Sequence, residues 1–78
     1  MAKVIIYSTP TCVFCKMAKT YFNEHNVQFE DKNVMTDISA QEEMIKKSGQ
    51  LGVPVIDIDG KIIVGFDKPK ISSLLNIK

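Results

Sequence analysis

The stretch Thr11-Cys12-Val13-Phe14-Cys15 decides how the rest of the chain is read, because it holds both cysteines of the sequence, three residues apart. An apolar run, Val4-Ile5-Ile6-Tyr7, precedes it, joined by the short polar link Ser8-Thr9-Pro10. A segment with helical character follows, so the pair lies where a strand ends and a helix begins. Backbone N–H groups at a helix start stabilise an anion and lower a cysteine's pKa. Cys12, nearer the helix start, is therefore expected to be the more acidic and more exposed thiol, and Cys15, one turn inside, the more buried. Thiol exchange needs a thiolate that attacks a disulfide and a second thiol that resolves the mixed disulfide. Three-residue spacing at a helix start supplies both.

Two other uses of the cysteines compete with exchange. A structural crosslink between consecutive turns of one helix closes a loop of about four residues, so its entropic contribution lies at the bottom of the range. A closed zinc site wants four ligands, and the chain offers two cysteines and one histidine. His25 falls ten residues after Cys15, more than about 10 Å along the same helix, and reads as a polar helix-end residue. No metal ligands are expected within one chain. Two chains pooling thiolates around zinc or an iron–sulfur cluster stand as the reading from another functional class.

Outward from the cysteines, Lys3 to Ser8 reads as a strand buried on both faces. From Val13 to about His25 the period is helical. Val13, Met17 and Tyr21 recur every four residues, as do Phe14, Ala18 and Phe22, with Lys16, Lys19 and Asn23 on the other side. Asn26 suits a stop. Val27 to Val34, with Val27 and Phe29 two apart, reads as a second strand, parallel to the first because a crossover helix joins them. Thr36 to Lys47 reads as a helix with Met44 and Ile45 as its apolar face. Ser39 and Glu42 have capping-box spacing, and Asp37 is a rival cap. Lys46 and Lys47 suit its C-terminal end and Gly49 its stop. Val55 to Ile58 and Lys61 to Val64 flank Asp59-Gly60, a strong hairpin signal. Asp67 can cap a last helix with Ile71, Leu74 and Leu75 on one face, and Pro69 is tolerated in its first turn.

The order is β-α-β-α-β-β-α, an α/β domain over residues 1–78 with a four-stranded mixed sheet flanked by three helices on both faces. A 45% apolar share is too high for disorder. The net charge of +1, with ten scattered lysines, gives no long-range field for nucleic acid or an anionic membrane. The clusters at Lys46-Lys47 and Lys68 to Lys70 read as solvated surface. The N-terminal apolar run of four residues is shorter than the roughly 7–15 of a secretory core, and nothing approaches the ~18 of a membrane span. A cytoplasmic setting is expected. There, a lone Cys-x-x-Cys beside a β-α-β pattern reads as redox-active.

Two further segments invite a functional reading. Pro54, opening a strand after Gly49-Gln50-Leu51-Gly52-Val53, is by itself expected trans, since only ~5–6% of such bonds are cis. Gly65-Phe66-Asp67 reads either as a strand exit, a core aromatic and a helix cap, or as a ligand site made by N–H groups at a helix start.

Taken together, Cys12-Val13-Phe14-Cys15, Val53-Pro54 and Gly65-Phe66-Asp67 resemble the three signatures of glutaredoxins. Glu42-Glu43-Met44-Ile45-Lys46-Lys47-Ser48-Gly49 is similar to the second helix of bacterial members, so the resemblance covers nearly the whole chain. It implies a thioredoxin fold with sheet order 2-1-3-4, Cys12 as nucleophile and Cys15 as resolving thiol. It also implies a cis Val53–Pro54 bond beside Cys12, with the Val53 backbone offered to the substrate cysteine in the manner of an added strand. Phe14, Val53, Pro54, Gly65, Phe66 and Asp67 would form the glutathione groove, with glutathione as co-substrate. Disulfide-bearing or glutathionylated proteins would be the partners of a monomer.

The departures from the family pattern are specific. Val13-Phe14 replaces the usual Pro-Tyr, Ser8-Thr9-Pro10 lacks the lysine common before the first cysteine, and Gly52 stands where Thr is common. Where the family's Gly-Gly-x-x-Asp motif ends in a carboxylate, this chain has Lys68, with Asp67 one residue earlier. These departures resemble the small redoxins that are recharged by thioredoxin reductase and reduce ribonucleotide reductase, although that branch's aromatic and arginine signature is incomplete here.

Overall fold

A computed structural model describes residues 3–76. The apolar run forms β1 (Val4–Ser8), buried at every position. The cysteine segment opens α1 (Val13–Glu24). The chain then passes through β2 (Glu30–Asn33), α2 (Ile38–Ser48), β3 (Val55–Ile58), β4 (Lys61–Val64) and α3 (Lys68–Leu75). The strands make one sheet in the order β2-β1-β3-β4. β1 and β2 are parallel, Ile5 opposite Glu30, while β1 with β3 and β3 with β4 are antiparallel. This is the mixed sheet and strand order that the resemblance implies.

The pleat of the central strands sorts their side chains into two cores. Val4 and Ile6 of β1, Ile56 and Ile58 of β3 and Ile63 of β4 pack with Ala18, Tyr21 and Phe22 of α1 and Ile71 of α3. On the opposite face Ile5, Tyr7 and Val55 pack with Val34 and with Ala40 and Met44 of α2. Helices thus cover both faces, and Leu74 and Leu75 pack against the α1–α3 core as their spacing predicts.

Several local expectations are corrected. The second strand is shorter than Val27–Val34: Val27 and Phe29 insert into the α1–α3 core from irregular backbone, and pairing with β1 begins only at Glu30. Asp37, not Ser39, caps α2, accepting the Ala40 N–H at 3.1 Å. The buried face of α2 is Ala40 and Met44, while Ile45 is exposed. The apolar side chains flanking Cys15 at the start of α1 are not core either: Val13, Phe14 and Met17 are 67%, 59% and 46% exposed. Helical periodicity marks the apolar stripe correctly, but the stripe's N-terminal end projects beyond the sheet. The caps otherwise follow the sequence. Gly49 ends α2 at φ 73°, and the Asp59-Gly60 turn has φ of 51° and 88°, the backbone a two-residue hairpin loop requires.

Candidate active site

Cys12 is the N-cap of α1, with extended backbone at φ −83° and ψ 112°, and its Sγ accepts the Cys15 N–H at 3.1 Å. Cys12 is half-buried and Cys15 fully buried, as their places in the first turn predict. The two are joined as a disulfide with Cα atoms 5.2 Å apart, so the oxidised form is the one described.

The ends of the strands bring the other motifs to the same side of the sheet. β1 runs into the cysteine link, β3 starts just after Pro54, and β4 leads into Gly65. The Val53–Pro54 bond is cis, in line with the resemblance and against the expectation from Pro54 alone. The Gly65 N–H donates to the Pro54 carbonyl at 2.8 Å, which ties the second and third motifs together. Gly65 reaches this geometry at φ 84°, where a side chain would be strained. Val53 is half-buried and packs against the α2 core.

The third motif has clear roles in the fold. Phe66 packs against the α1–α3 core, its ring edge-on to Tyr21 at 5.9 Å between centroids. Asp67 caps α3, accepting the Lys70 N–H at 3.3 Å. Phe14 points into solvent on the first turn of α1, away from the core. His25 closes α1 with its ring 4.5 Å from that of Tyr21, the helix-end role read from the sequence. Among the described residues, no group of three or more His, Cys, Asp or Glu side chains is placed to hold a metal ion.

An open groove of about 370 Å³ runs along α1 toward the start of α3. Its walls are Val13, Met17, Tyr21 and Phe66, and Lys16, Lys68 and Glu24 line it as well. The Lys68 ammonium stands over the Tyr21 ring at 5.5 Å. A four-residue period over Val13, Met17 and Tyr21 does not by itself reveal this groove; the sequence feature that points to it is that the first member of the stripe is next to Cys12.

Polar contacts behind the cysteines fix the frame. The Ser8 hydroxyl donates to Asp31 Oδ1 at 2.6 Å, and the Lys19 ammonium to Asp31 Oδ2 at 2.7 Å. On the α2 face, the Tyr7 hydroxyl donates to Glu43 Oε1. Lys47 Nζ donates to Tyr7 Oη at 3.0 Å and to Asp57 Oδ2 at 2.7 Å, and Lys32 Nζ to Glu43 Oε1 at 3.2 Å. The Tyr7 hydrogen bond, followed by that from Lys32, holds the Glu43 carboxyl down at about 2. Asp57, then Tyr7, raises the Lys47 ammonium, and burial with the Glu43 contact raises the Tyr7 phenol. Lys47 is thus no solvated surface charge. No helix among the described residues is long and apolar enough to cross a membrane.

The glutaredoxin family model matches residues 4–63. The chain belongs to the glutaredoxin family. A glutaredoxin-like 8.6 kDa protein from the rubredoxin operon of Clostridium pasteurianum is 54% identical over 70 residues, covering 90% of this chain and 93% of that one. Glutaredoxin 3 of Escherichia coli K12 is 40% identical over 67 residues, with coverage of 86% and 81%. The glutaredoxin-like protein NrdH of Lactococcus lactis subsp. lactis is 32% identical over 74 residues, with coverage of 91% and 97%. Among solved structures, a variant of a thioredoxin-like protein superposes over the whole of both chains with a TM-score of 0.93 at 31% identity. This glutaredoxin-like redox protein therefore combines a thioredoxin fold with a disulfide-forming Cys-x-x-Cys pair.

Proposed function

We propose that the protein is a cytoplasmic, monomeric thiol–disulfide oxidoreductase that reduces protein disulfides and glutathione mixed disulfides through Cys12 and Cys15. The observation that carries this reading is the asymmetry of the pair: Cys12 caps the helix and is half-buried, while Cys15 is fully buried one turn on. In the reduced protein the Cys12 thiolate attacks one sulfur of a substrate disulfide. A Cys12–substrate disulfide forms, and the other substrate sulfur leaves as a thiolate. The Cys15 thiolate then attacks Cys12 Sγ, releases the second substrate thiolate and closes the Cys12–Cys15 disulfide. Two electrons pass from the dithiol to the substrate. The Cys15 N–H, already donated to Cys12 Sγ at 3.1 Å, favours the thiolate that starts the sequence. Val53 and Pro54 would line up the substrate strand, with Phe14, Gly65, Phe66 and Asp67 completing a glutathione groove.

Glutathione as the donor that returns the dithiol is part of this reading, and recharging by thioredoxin reductase is the second. What favours the second is the state of the third motif: Asp67, the one carboxylate there, is engaged as a helix cap, and Lys68 follows it. Glutathione's ammonium then meets a like charge. An exposed charge contact is worth at most ~1 kcal/mol, less than a tenfold change, so glutathione use is weakened and not forbidden.

A coupled assay comparing glutathione and its reductase with thioredoxin reductase decides between the donors. Cys12→Ser is expected to abolish turnover with either, and Cys15→Ser to lose protein-disulfide reduction while keeping deglutathionylation. A folded Cys15→Ser variant inactive in both would refute the role assignment. Lys68→Asp is expected to improve the apparent affinity for glutathione several-fold. No improvement, with efficient turnover by thioredoxin reductase, selects the redoxin reading.

A further inference from the structure

The groove along α1 is chemically unlike a site for a small polar tripeptide. Its walls are hydrocarbon and aromatic: Val13, Met17, Tyr21 and Phe66. Val13 and Met17 stay largely exposed beside the cysteines in the free protein. Glutathione has no apolar side chain to cover them. The charges around these walls are ordered along the helix. Lys16 follows Cys12 by four residues and Glu24 by twelve, about 6 and 18 Å along the axis at 1.5 Å per residue. Lys68 stands between them, over Tyr21. None of the three takes part in an ion pair among the described residues, whereas Lys19, Lys32 and Lys47 do. Along the groove, Lys16 therefore marks the end nearest Cys12, Lys68 the middle and Glu24 the far end.

We propose that this groove is a docking subsite for a protein partner, occupied by a segment that presents an apolar side chain with carboxylates on the side nearer the partner's reactive cysteine. The inference rests on the reading that Cys12 exchanges with protein disulfides, and it adds the chemistry by which such a protein is selected. The apolar side chain would lie against Val13 and Met17, beside the Tyr21 and Phe66 rings, displacing water from the exposed Val13 and Met17 side chains. The carboxylates would meet Lys16 and Lys68. Glu24 would disfavour an acidic continuation and so fix the direction in which the segment lies. Opposite charges of this kind set partner choice and association rate more than raw affinity.

The test is an NMR titration of the oxidised protein with two capped, cysteine-free peptides. One carries two aspartates followed by leucine and phenylalanine, the other two lysines in their place. The aspartate peptide is expected to shift the amide signals of Val13, Met17, Tyr21 and Phe66 and to bind about three- to tenfold more tightly than the lysine peptide. The preference should shrink at high salt, because the charges are exposed, and should reverse in the doubly substituted Lys16→Glu, Lys68→Glu protein. Equal binding of the two peptides, absence of shifts at these amides, or glutathione shifting the Met17 and Tyr21 amides at equal or lower concentration would each overturn the proposal. The salt series on the wild-type protein stands even where the double variant does not fold. Failure of the wild-type dithiol to reduce bis(2-hydroxyethyl) disulfide would overturn the exchange reading instead, and would leave the peptide result standing.

Discussion

A thiol at the first turn of a helix and one a turn further in differ in the water around the sulfur and in the N–H groups that face it. Cys12 has both water and a donated N–H, while Cys15 is fully buried. After reduction, iodoacetamide near neutral pH is therefore expected to label Cys12 before Cys15, by roughly tenfold or more. Peptide mass spectrometry over time gives the two rates, and equal rates would remove the argument from the helix start. The cysteines and Asp67 were legible from sequence because residue type and spacing fix their local roles, whereas the cis bond at Pro54 was implied only by the family resemblance. Val13, Phe14 and Met17 were not legible, since a four-residue period does not say where along a helix the sheet stops covering it. The exposure of Val13 and Met17 is what makes the start of that stripe one wall of a groove.

Among the elements, α2 depends most on contacts that no local pattern announces. Its apolar anchor is small, Ala40 and Met44, and the Tyr7–Glu43–Lys47–Asp57 network adds hydrogen bonds to β1 and β3. Tyr7 ends an apolar run and reads as one more buried residue, and Lys47 sits in a charged pair at a helix end. The partners come together only once β1 lies beside β3, with up to forty residues between them. Lys47→Met leaves the buried Asp57 carboxylate with the Gly60 N–H, at 2.7 Å, as its remaining hydrogen bond. Removing one partner of a buried pair costs ~3–5 kcal/mol. Lys47 is 31% exposed at its side chain, so a loss of roughly 2 kcal/mol is expected in urea unfolding. Lys46→Met, on the solvent side, is expected to stay within about 0.5 kcal/mol of wild type. Similar losses in both variants would show that the network does not hold α2.

Over the whole molecule, the α1–α3 core is built of aliphatic and aromatic side chains, while the α2 core is the smaller one and is completed by an ion-pair network. The two layers around a mixed sheet were legible in the alternation and order of apolar runs. That one layer carries a charge network was not, and it makes stability depend on pH at both ends. Glu43 has its carboxyl lowered from 4.5 to about 2. Between those values the unfolded chain binds a proton that the folded one refuses, so acidification through this window favours unfolding. Lys47 and Tyr7 are both raised, so above about pH 10 the folded protein holds protons that the unfolded chain has released, and rising pH destabilises it. The Glu43 side chain is 39% exposed, and solvent screening limits its share to ~1 kcal/mol or less. Urea unfolding at pH 7, 5 and 2.5 should show wild type losing up to about 1 kcal/mol more than Glu43→Gln between the last two points. The amide keeps the shape of the contact and has no charge to lose. Parallel losses in the two proteins would place the acid sensitivity outside this network, because no other difference between them titrates in that range.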